Sequence, residues 1–203
     1  MLFRSVLGVV HPDKVKKNSA ARAGDRIILG KPLGVGILSA ALKQGKLSES
    51  GYQRMIEFTT RLNRPGVELA DMDAVHALTD VTGFGLAGHL LEMARGAGLT
   101  ARLDWNRIPM IPEAIEYVKA GIYTGASTRN WAGYGAEASL ASGMADWQQR
   151  LLTDPQTSGG LLIACTQDAA PQVLNAARAR GFNEEADRKS TRLNSSHLGI
   201  SYA

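Results

Sequence analysis

The stretch Val75-His-Ala-Leu-Thr-Asp-Val-Thr-Gly-Phe-Gly85 decides how the middle of the chain folds. Its first six residues alternate and are apolar enough for a buried strand, which would end at Asp80. The glycines that follow break the strand, and residues 86–95 have the spacing of an amphipathic helix. We therefore predict a strand, a tight turn and a helix that begins beside a carboxylate.

This strand–turn–helix unit is the strongest candidate for a site. Glycines at 83 and 85 let backbone N–H groups approach oxygens closely, and a helix N-terminus favours anions. A carboxylate beside them can hold Mg²⁺, which takes one or two carboxylates together with phosphate oxygens. Asp80 is the candidate metal ligand, and Thr82, Gly83 and Gly85 are the candidate phosphate contacts. The alternative is that Asp80 only caps the turn.

Strand and helix patterns alternate along the rest of the chain. We predict further strands at 6–10, 25–29, 99–103 and 161–166, and further helices at 37–43, 49–62, 111–118 and 168–180. Asp168 is the expected N-cap of the last helix. Residues 121–143 are rich in glycine and alanine and receive no assignment. The alternation predicts an α+β (α/β two-layer) domain, a mixed sheet flanked by helices.

Two other polar loops have structural and functional interpretations. Residues 31–36, Lys-Pro-Leu-Gly-Val-Gly, could contact phosphate or simply connect a strand to a helix with an exposed lysine. Residues 154–160, Asp-Pro-Gln-Thr-Ser-Gly-Gly, could serve a site or form a polar surface turn. Neither loop matches a dinucleotide fingerprint or a Walker loop, and Gly83-Phe-Gly85 does not either.

The other reactive residue types carry little signal. The only cysteine, Cys165, lies in an apolar strand pattern and is expected to behave as a small buried hydrophobe. His76 and His89 have no partner at metal-ligand spacing, so we do not expect them to bind a metal. The three tryptophans are widely spread and are expected to pack in the core.

The two ends of the chain differ from its middle. Codons of a common short-read library adapter encode residues 188–197 in order, and residues 2–5 match the end of the partner adapter. We therefore expect residues 1–5 and 187–203 to be adapter-derived; a natural basic tail is the alternative. Without them 19 basic and 18 acidic residues remain, so the net charge falls from +4 to +1. The charge argument for nucleic-acid binding then disappears, and no apolar run has the length of a membrane span.

Three motifs resemble the selenophosphate synthetase (selenide, water dikinase) family. They are residues 77–89 around Asp80, residues 31–37, and Thr153-Asp-Pro-Gln-Thr-Ser-Gly-Gly-Leu-Leu162, in the family's order and at about its spacing. The resemblance implies the C-terminal domain of an aminoimidazole ribonucleotide synthetase-like protein at 30–186. Residues 6–29 would then be the end of the N-terminal ATP-binding domain and a linker strand.

The resemblance also implies a function. The family makes selenophosphate, AMP and phosphate from ATP, selenide and water, with Mg²⁺, for selenocysteine and selenouridine synthesis. By position Asp80 matches the family's metal-binding aspartate, whereas the catalytic Cys or selenocysteine and its lysine belong to the N-terminal domain. We therefore expect no catalytic residue here and no activity of this chain alone. A cytoplasmic location and a homodimeric parent are implied; a related cyclo-ligase and a non-catalytic nucleotide-binding module remain alternatives.

Overall fold

The computed structural model describes residues 8–180, 182, 191–194 and 199–201. Eight α-helices occur in the described ranges: α1 Val35–Lys43, α2 Glu49–Thr60, α3 Pro65–Ala70, α4 Gly85–Ala97, α5 Pro112–Lys119, α6 Gly125–Tyr134, α7 Asp146–Leu152 and α8 Ala170–Arg178. The strands there are β1 Arg26–Leu29, β2 Val75–Asp80, β3 Thr100–Asp104, β4 Ser139–Leu140, β5 Leu161–Cys165, β6 Thr191–Asn194 and β7 Gly199–Ser201.

The strands form one mixed sheet in the order β2-β5-β1-β6-β3-β7-β4. Strand β5 pairs antiparallel with both β1 and β2, and β6 pairs antiparallel with β1 and β3. Strand β7 runs parallel to β3 and β4. The predicted α+β class and the mixed sheet with flanking helices are confirmed.

Alternate residues of the central strands face two separate cores. Ile27, Leu29, Ala77 and Leu162 join the larger core, to which α1, α2, α4, α5 and α7 contribute apolar side chains. Ile28 and Ile163 belong to the second core, which α3 and α8 cover. Helices therefore lie on both faces of β2, β5 and β1, which explains why β5 is an almost continuous apolar run.

The structure differs from the prediction at several elements. The predicted strand at 6–10 is not observed at 8–10, where Val9 and Val10 are exposed and no described strand pairs with them. Helix α3 begins at Pro65, where we expected only a helix end; proline is favoured at the first helical position. Asp168 does not cap α8, whose N-cap is Ala169. Helices α6 and α7 lie where no element was predicted.

Two strands also lie in the segment that we interpret as adapter-derived. Thr191–Asn194 fills the position between β1 and β3, and Gly199–Ser201 that between β3 and β4. Strand edges offer unpaired N–H and C=O groups to any backbone, so such pairing requires little from the sequence. The interpretation of residues 1–5 falls outside the described residues.

Candidate functional site

Asp80 is the last residue of β2, and its side chain is exposed. Strand β2 is held in place by β5, with Asp80 opposite Leu161. Within the described part of the chain the carboxylate of Asp80 makes no hydrogen bond or ion pair. The carboxylate is therefore available to a ligand and caps no N–H group of the turn in the described residues. The N–H of Gly85 donates to the Thr82 carbonyl instead, at 3.1 Å.

The turn after Asp80 requires glycine. Gly85 has a φ of 70°, and a Cβ there would lie 2.7 Å from the carbonyl carbon of Thr153. Helix α4 begins at Gly85 without a side-chain cap on its first N–H groups. The backbone N–H groups of Gly83 and Phe84 form no hydrogen bond with another described residue. A carboxylate and free N–H groups at a helix N-terminus thus lie within five residues of each other, which suits an anion with its metal ion.

The loop at 154–160 packs against this turn and is hydrogen-bonded to it. The N–H of Val81 donates to the Gly160 carbonyl at 2.9 Å, and the N–H of Gln156 donates to the Thr82 carbonyl at 3.0 Å. A Cβ on Gly159 would lie 1.8 Å from the Val81 oxygen. Of the two interpretations of this loop, the polar surface turn is excluded, because Thr153, Asp154 and Gln156 are buried. The loop is a support for the Asp80 turn.

Side chains of the same loop accept hydrogen bonds from the N–H groups at the N-terminus of α1. Oδ2 of Asp154 accepts hydrogen bonds from the N–H groups of Gly36 at 3.0 Å and Ile37 at 3.3 Å. Oε1 of Gln156 accepts from Gly34 and Val35 at 3.2 and 3.3 Å. Burial raises the pKa of Asp154 to about 7, while hydrogen bonds from Gln156 and these amides oppose the rise. Because protein groups already fill this helix N-terminus, residues 31–36 do not offer a phosphate contact there.

Lys31 is buried, so the alternative in which residues 31–36 connect a strand to a helix with an exposed lysine is wrong on that point. Its ammonium donates to the carbonyls of Phe58 at 3.0 Å, Arg61 at 2.6 Å and Ser158 at 2.6 Å. Burial, followed by the charge of Arg61, lowers the pKa of Lys31 to about 8. Three acceptors match the three N–H bonds of an ammonium. Lys31 therefore ties the end of α2 to the loop that supports the Asp80 turn.

The histidines have partners that the sequence did not indicate. Nε2 of His89 lies 3.2 Å from the Thr82 hydroxyl, and burial lowers the pKa of His89. Nδ1 of His76 lies 2.8 Å from the Asp25 carboxylate, in a buried pair. The two members are 51 residues apart, so no local spacing could have revealed them.

The expectation for Cys165 is confirmed, and that for the tryptophans holds for Trp105 and Trp147. Trp131 is only partly buried and belongs to none of the core clusters of the described residues. Cys165 is buried, and burial raises the pKa of its thiol to about 12, which leaves it unreactive as a nucleophile. Trp105 and Trp147 pack edge to face with ring centres 5.5 Å apart.

No helix in the described ranges is long and apolar enough to cross a membrane.

The groups at the Asp80 turn suit a metal site in which the protein supplies one ligand and phosphate oxygens and water supply the others. In the described ranges, no cluster of three or more His, Cys, Asp or Glu side chains could hold a metal ion. Mg²⁺ does not need such a cluster, because it keeps several waters and is commonly bound by one or two carboxylates plus substrate phosphates. Exposed Asp80 beside free N–H groups fits that pattern.

Residues 22–187 match the family model for the AIR synthase related protein, C-terminal domain. The chain is 59% identical over 180 residues to a selenide, water dikinase of Pseudomonas straminea, covering 89% of this chain and 50% of that protein. It is 49% identical over 178 residues to a selenide, water dikinase of Rhizobium meliloti, covering 88% and 51%. The chain thus spans about half the length of the curated relatives it matches.

Solved structures share the fold at low sequence identity. A hydrogenase maturation protein HypE in complex with ATP matches with a TM-score of 0.62 and 18% identity, covering 92% of this chain and 47% of that one. PurL of T. maritima complexed with ATP matches with a TM-score of 0.56 and 15% identity, covering 96% and 26%. Proteins with different names therefore share the fold of this chain.

Proposed function

This chain belongs to the AIR synthase related protein family, as its C-terminal domain, and from that premise we propose that it is the C-terminal half of a selenide, water dikinase. The observation that carries the proposal is the 59% identity over 180 residues to a protein of that name, which extends through the Asp80 turn. The reaction takes ATP, selenide and water to selenophosphate, AMP and phosphate.

In this proposal Asp80 binds Mg²⁺, and the turn at 82–85 binds phosphate oxygens. Mg²⁺ would neutralise charge on the triphosphate during phosphoryl transfer. The exposed carboxylate of Asp80 supplies one metal ligand, and the free N–H groups of Gly83 and Phe84 supply hydrogen bonds to phosphate. Relatives of this fold solved with ATP, namely HypE and PurL, support a nucleotide as the ligand.

The same proposal assigns the chemical step to the half that this chain does not contain. The described residues hold a single available carboxylate at the turn, a buried thiol and a buried lysine whose N–H bonds are all used. The chain alone should therefore bind Mg²⁺ and phosphate weakly and turn nothing over. A homodimeric parent in the cytoplasm, with ATP and selenide as its small-molecule partners, completes the proposal.

A chimera tests this function. Residues 22–186 would be joined to the N-terminal half of the Pseudomonas straminea relative, and formation of AMP and phosphate would be followed with and without selenide. We expect selenide-dependent AMP from the chimera, a large loss with Asp80→Asn, and no AMP from the 203-residue chain. AMP formation by the chain alone, or full activity of the Asp80→Asn chimera, would contradict the proposal.

Sequencing the source gene across both ends provides an independent check. We expect the reading frame to continue upstream into a domain with a Cys or selenocysteine near a lysine, and downstream of residue 186 without the adapter-like peptide. A gene that starts at Met1 and stops after Ala203 would instead favour a stand-alone nucleotide-binding module.

A further inference from the structure

Side chains of α6 hold two consecutive carbonyl groups of the Asp80 turn. Nδ2 of Asn130 donates to the Gly83 carbonyl at 2.9 Å. One helical turn later, the Tyr134 hydroxyl donates to the Phe84 carbonyl at 2.5 Å. Both carbonyls belong to exposed residues, so water could have satisfied them without any help from α6. Their capture by protein donors fixes a conformation that solvent alone would leave free.

The orientation of these carbonyls determines where the neighbouring N–H groups point. In a planar trans peptide the C=O and the following N–H point in opposite directions. Because the Gly83 carbonyl points at α6, the N–H of Phe84 points away from α6. This N–H forms no hydrogen bond with another described residue, so it is a free donor with a fixed direction.

Gly88 and the burial of Tyr134 both favour the contact between the Tyr134 hydroxyl and the turn. A Cβ on Gly88 would lie 2.6 Å from the Cβ of Phe84 and 3.0 Å from Cε1 of Tyr134, so the tyrosine ring reaches the turn only over a glycine. Burial raises the pKa of Tyr134, which keeps its hydroxyl protonated and able to donate. Phe84 as a residue remains 59% exposed, although its carbonyl is held by Tyr134.

Asn130 also connects the turn to the supporting loop. Its second N–H donates to the Thr153 carbonyl at 3.0 Å, and the Thr153 hydroxyl lies 2.6 Å from that of Ser127, also on α6. One amide therefore joins the Gly83 peptide to the residue that precedes buried Asp154. Helix α6 positions the turn and its support together.

We propose that Asn130 and Tyr134 are positioning residues for the turn. Asn130 orients the Gly83–Phe84 peptide, so that the Phe84 N–H can receive a phosphate at the Asp80 site. Tyr134 holds the next peptide, whose Gly85 N–H closes the turn on the Thr82 carbonyl. The orienting effect rests on the structure of this chain, and the phosphate as ligand rests on the proposed function. Neither side chain touches the phosphate in this proposal, and each acts through the backbone of the turn.

The first experiment measures the turn without any ligand. Backbone amide shifts and ¹⁵N relaxation of residues 82–86 would be recorded by NMR for the 203-residue chain and for Tyr134→Phe and Asn130→Ala. We expect both variants to shift these amides and to lower their order parameters. The matched controls are Tyr52→Phe on α2 and Asn175→Ala on α8, both at exposed positions. Unchanged amides at 82–86 in both variants would overturn the proposal.

The second experiment measures the consequence for binding. Inorganic triphosphate would be titrated in the presence of Mg²⁺ and followed by the same amides and by ³¹P NMR. Loss of the hydrogen bond that orients the Phe84 N–H should weaken binding by about threefold to tenfold in Asn130→Ala. Tyr134→Phe, which leaves the ring in place, should also weaken binding, because the peptide that closes the turn loses its restraint. Disordered amides combined with wild-type triphosphate affinity would overturn the positioning role.

The two experiments distinguish failure of the proposed function from failure of this inference. If the unsubstituted chain bound no triphosphate and Asp80→Asn changed nothing, the phosphate function would fail, while the NMR comparison would still decide whether α6 orients the turn. If the chain bound triphosphate and the variants bound it equally well, the proposed function would stand and this inference would fall.

Discussion

The carboxylate of Asp154 faces the N-terminus of α1 across Gly36, with Oδ2 only 3.0 Å from the Gly36 N–H. Oδ1 of the same carboxylate is buried and has no hydrogen-bond partner among the described residues. A Cβ on Gly36 would lie 2.5 Å from Oδ1 and 2.4 Å from the Pro155 carbonyl, so only glycine lets the loop approach the helix this closely. This contact links the support of the Asp80 turn to a helix in the main core.

Asp154→Asn should reduce the pH dependence of stability. The pKa of Asp154 is raised to about 7 in the folded chain, against about 3.9 in an unfolded one. As pH rises from about 4 to 7 the unfolded state loses its proton first, so this group lowers wild-type stability over that window. Asparagine keeps an acceptor for Gly36 and Ile37 and cannot ionise, so the variant should gain stability relative to wild type as pH rises.

Urea unfolding at several pH values between about 4 and 8 checks this expectation. Asp168→Asn, at an exposed position, serves as the control and should follow the wild-type profile. Parallel profiles for wild type and Asp154→Asn would show that the buried carboxyl does not titrate as argued.

Lys31→Met should destabilise the fold by about 1–3 kcal/mol, since it removes one buried and two partly buried hydrogen bonds to carbonyls. The carbonyls of Phe58, Arg61 and Ser158 all lose their shared ammonium, while methionine preserves the apolar stem. The measurement is the free energy of unfolding in urea. Lys43→Met at an exposed position of α1 should change it by less than about 0.5 kcal/mol. Equal effects of the two variants would mean that the ammonium contributes nothing to holding the loop.

Gly159→Ala and Gly133→Ala should have opposite effects on stability. A Cβ at 159 would lie 1.8 Å from the Val81 carbonyl oxygen, so Val81 and the turn after it must move, at a cost of about 1–3 kcal/mol or more. A Cβ at 133 meets nothing within 4 Å, and alanine favours the helix by up to about 1 kcal/mol. Thermal unfolding of both variants provides the comparison, and a neutral Gly159→Ala would contradict the close packing of loop and turn.

Asp80→Asn should weaken Mg²⁺-dependent binding of triphosphate by at least about tenfold, or roughly 1.4 kcal/mol. Stability should change little, because the Asp80 carboxylate is exposed and makes no hydrogen bond or ion pair within the described ranges. Asp73→Asn, exposed just before the same strand, is the matched control. Isothermal titration with Mg²⁺ and triphosphate provides the measurement. If the two variants bound equally well, Asp80 would not be the metal ligand.

Much of the fold around Asp80 could be predicted from local pattern. Strand β2 has the predicted ends, Val75 and Asp80, because alternation and the following glycines mark both boundaries. Helix α6 could not be predicted, because Gly125–Tyr134 is neutral in mean hydropathy and contains two glycines. That helix is stabilised by contacts that only the folded chain supplies, such as Ser127 with Thr153.

The candidate site likewise has one part that the local sequence predicts and another that depends on the tertiary structure. Asp80, Thr82, Gly83 and Gly85 are adjacent in sequence, so a strand end, a turn and a helix start suffice to bring them together. Asn130 and Tyr134 reach the same turn from about 50 residues away. The stretch Thr128-Arg-Asn130 also resembles the selenophosphate synthetase family, but nothing in its spacing shows that Asn130 contacts the turn. The loop at 154–160 was recognisable as polar, whereas its burial depends on α1, α2 and the Asp80 turn surrounding it.

By itself the sequence determined the strand, turn and helix that carry the carboxylate, and the family to which the motifs point, because these depend on residues close together in the chain. Only the tertiary structure decided that Lys31 and Asp154 are buried, that His76 pairs with Asp25, and that α6 orients the turn. Those properties depend on groups brought together from distant parts of the chain, and hydrogen bonds between such groups leave no periodic trace in the sequence.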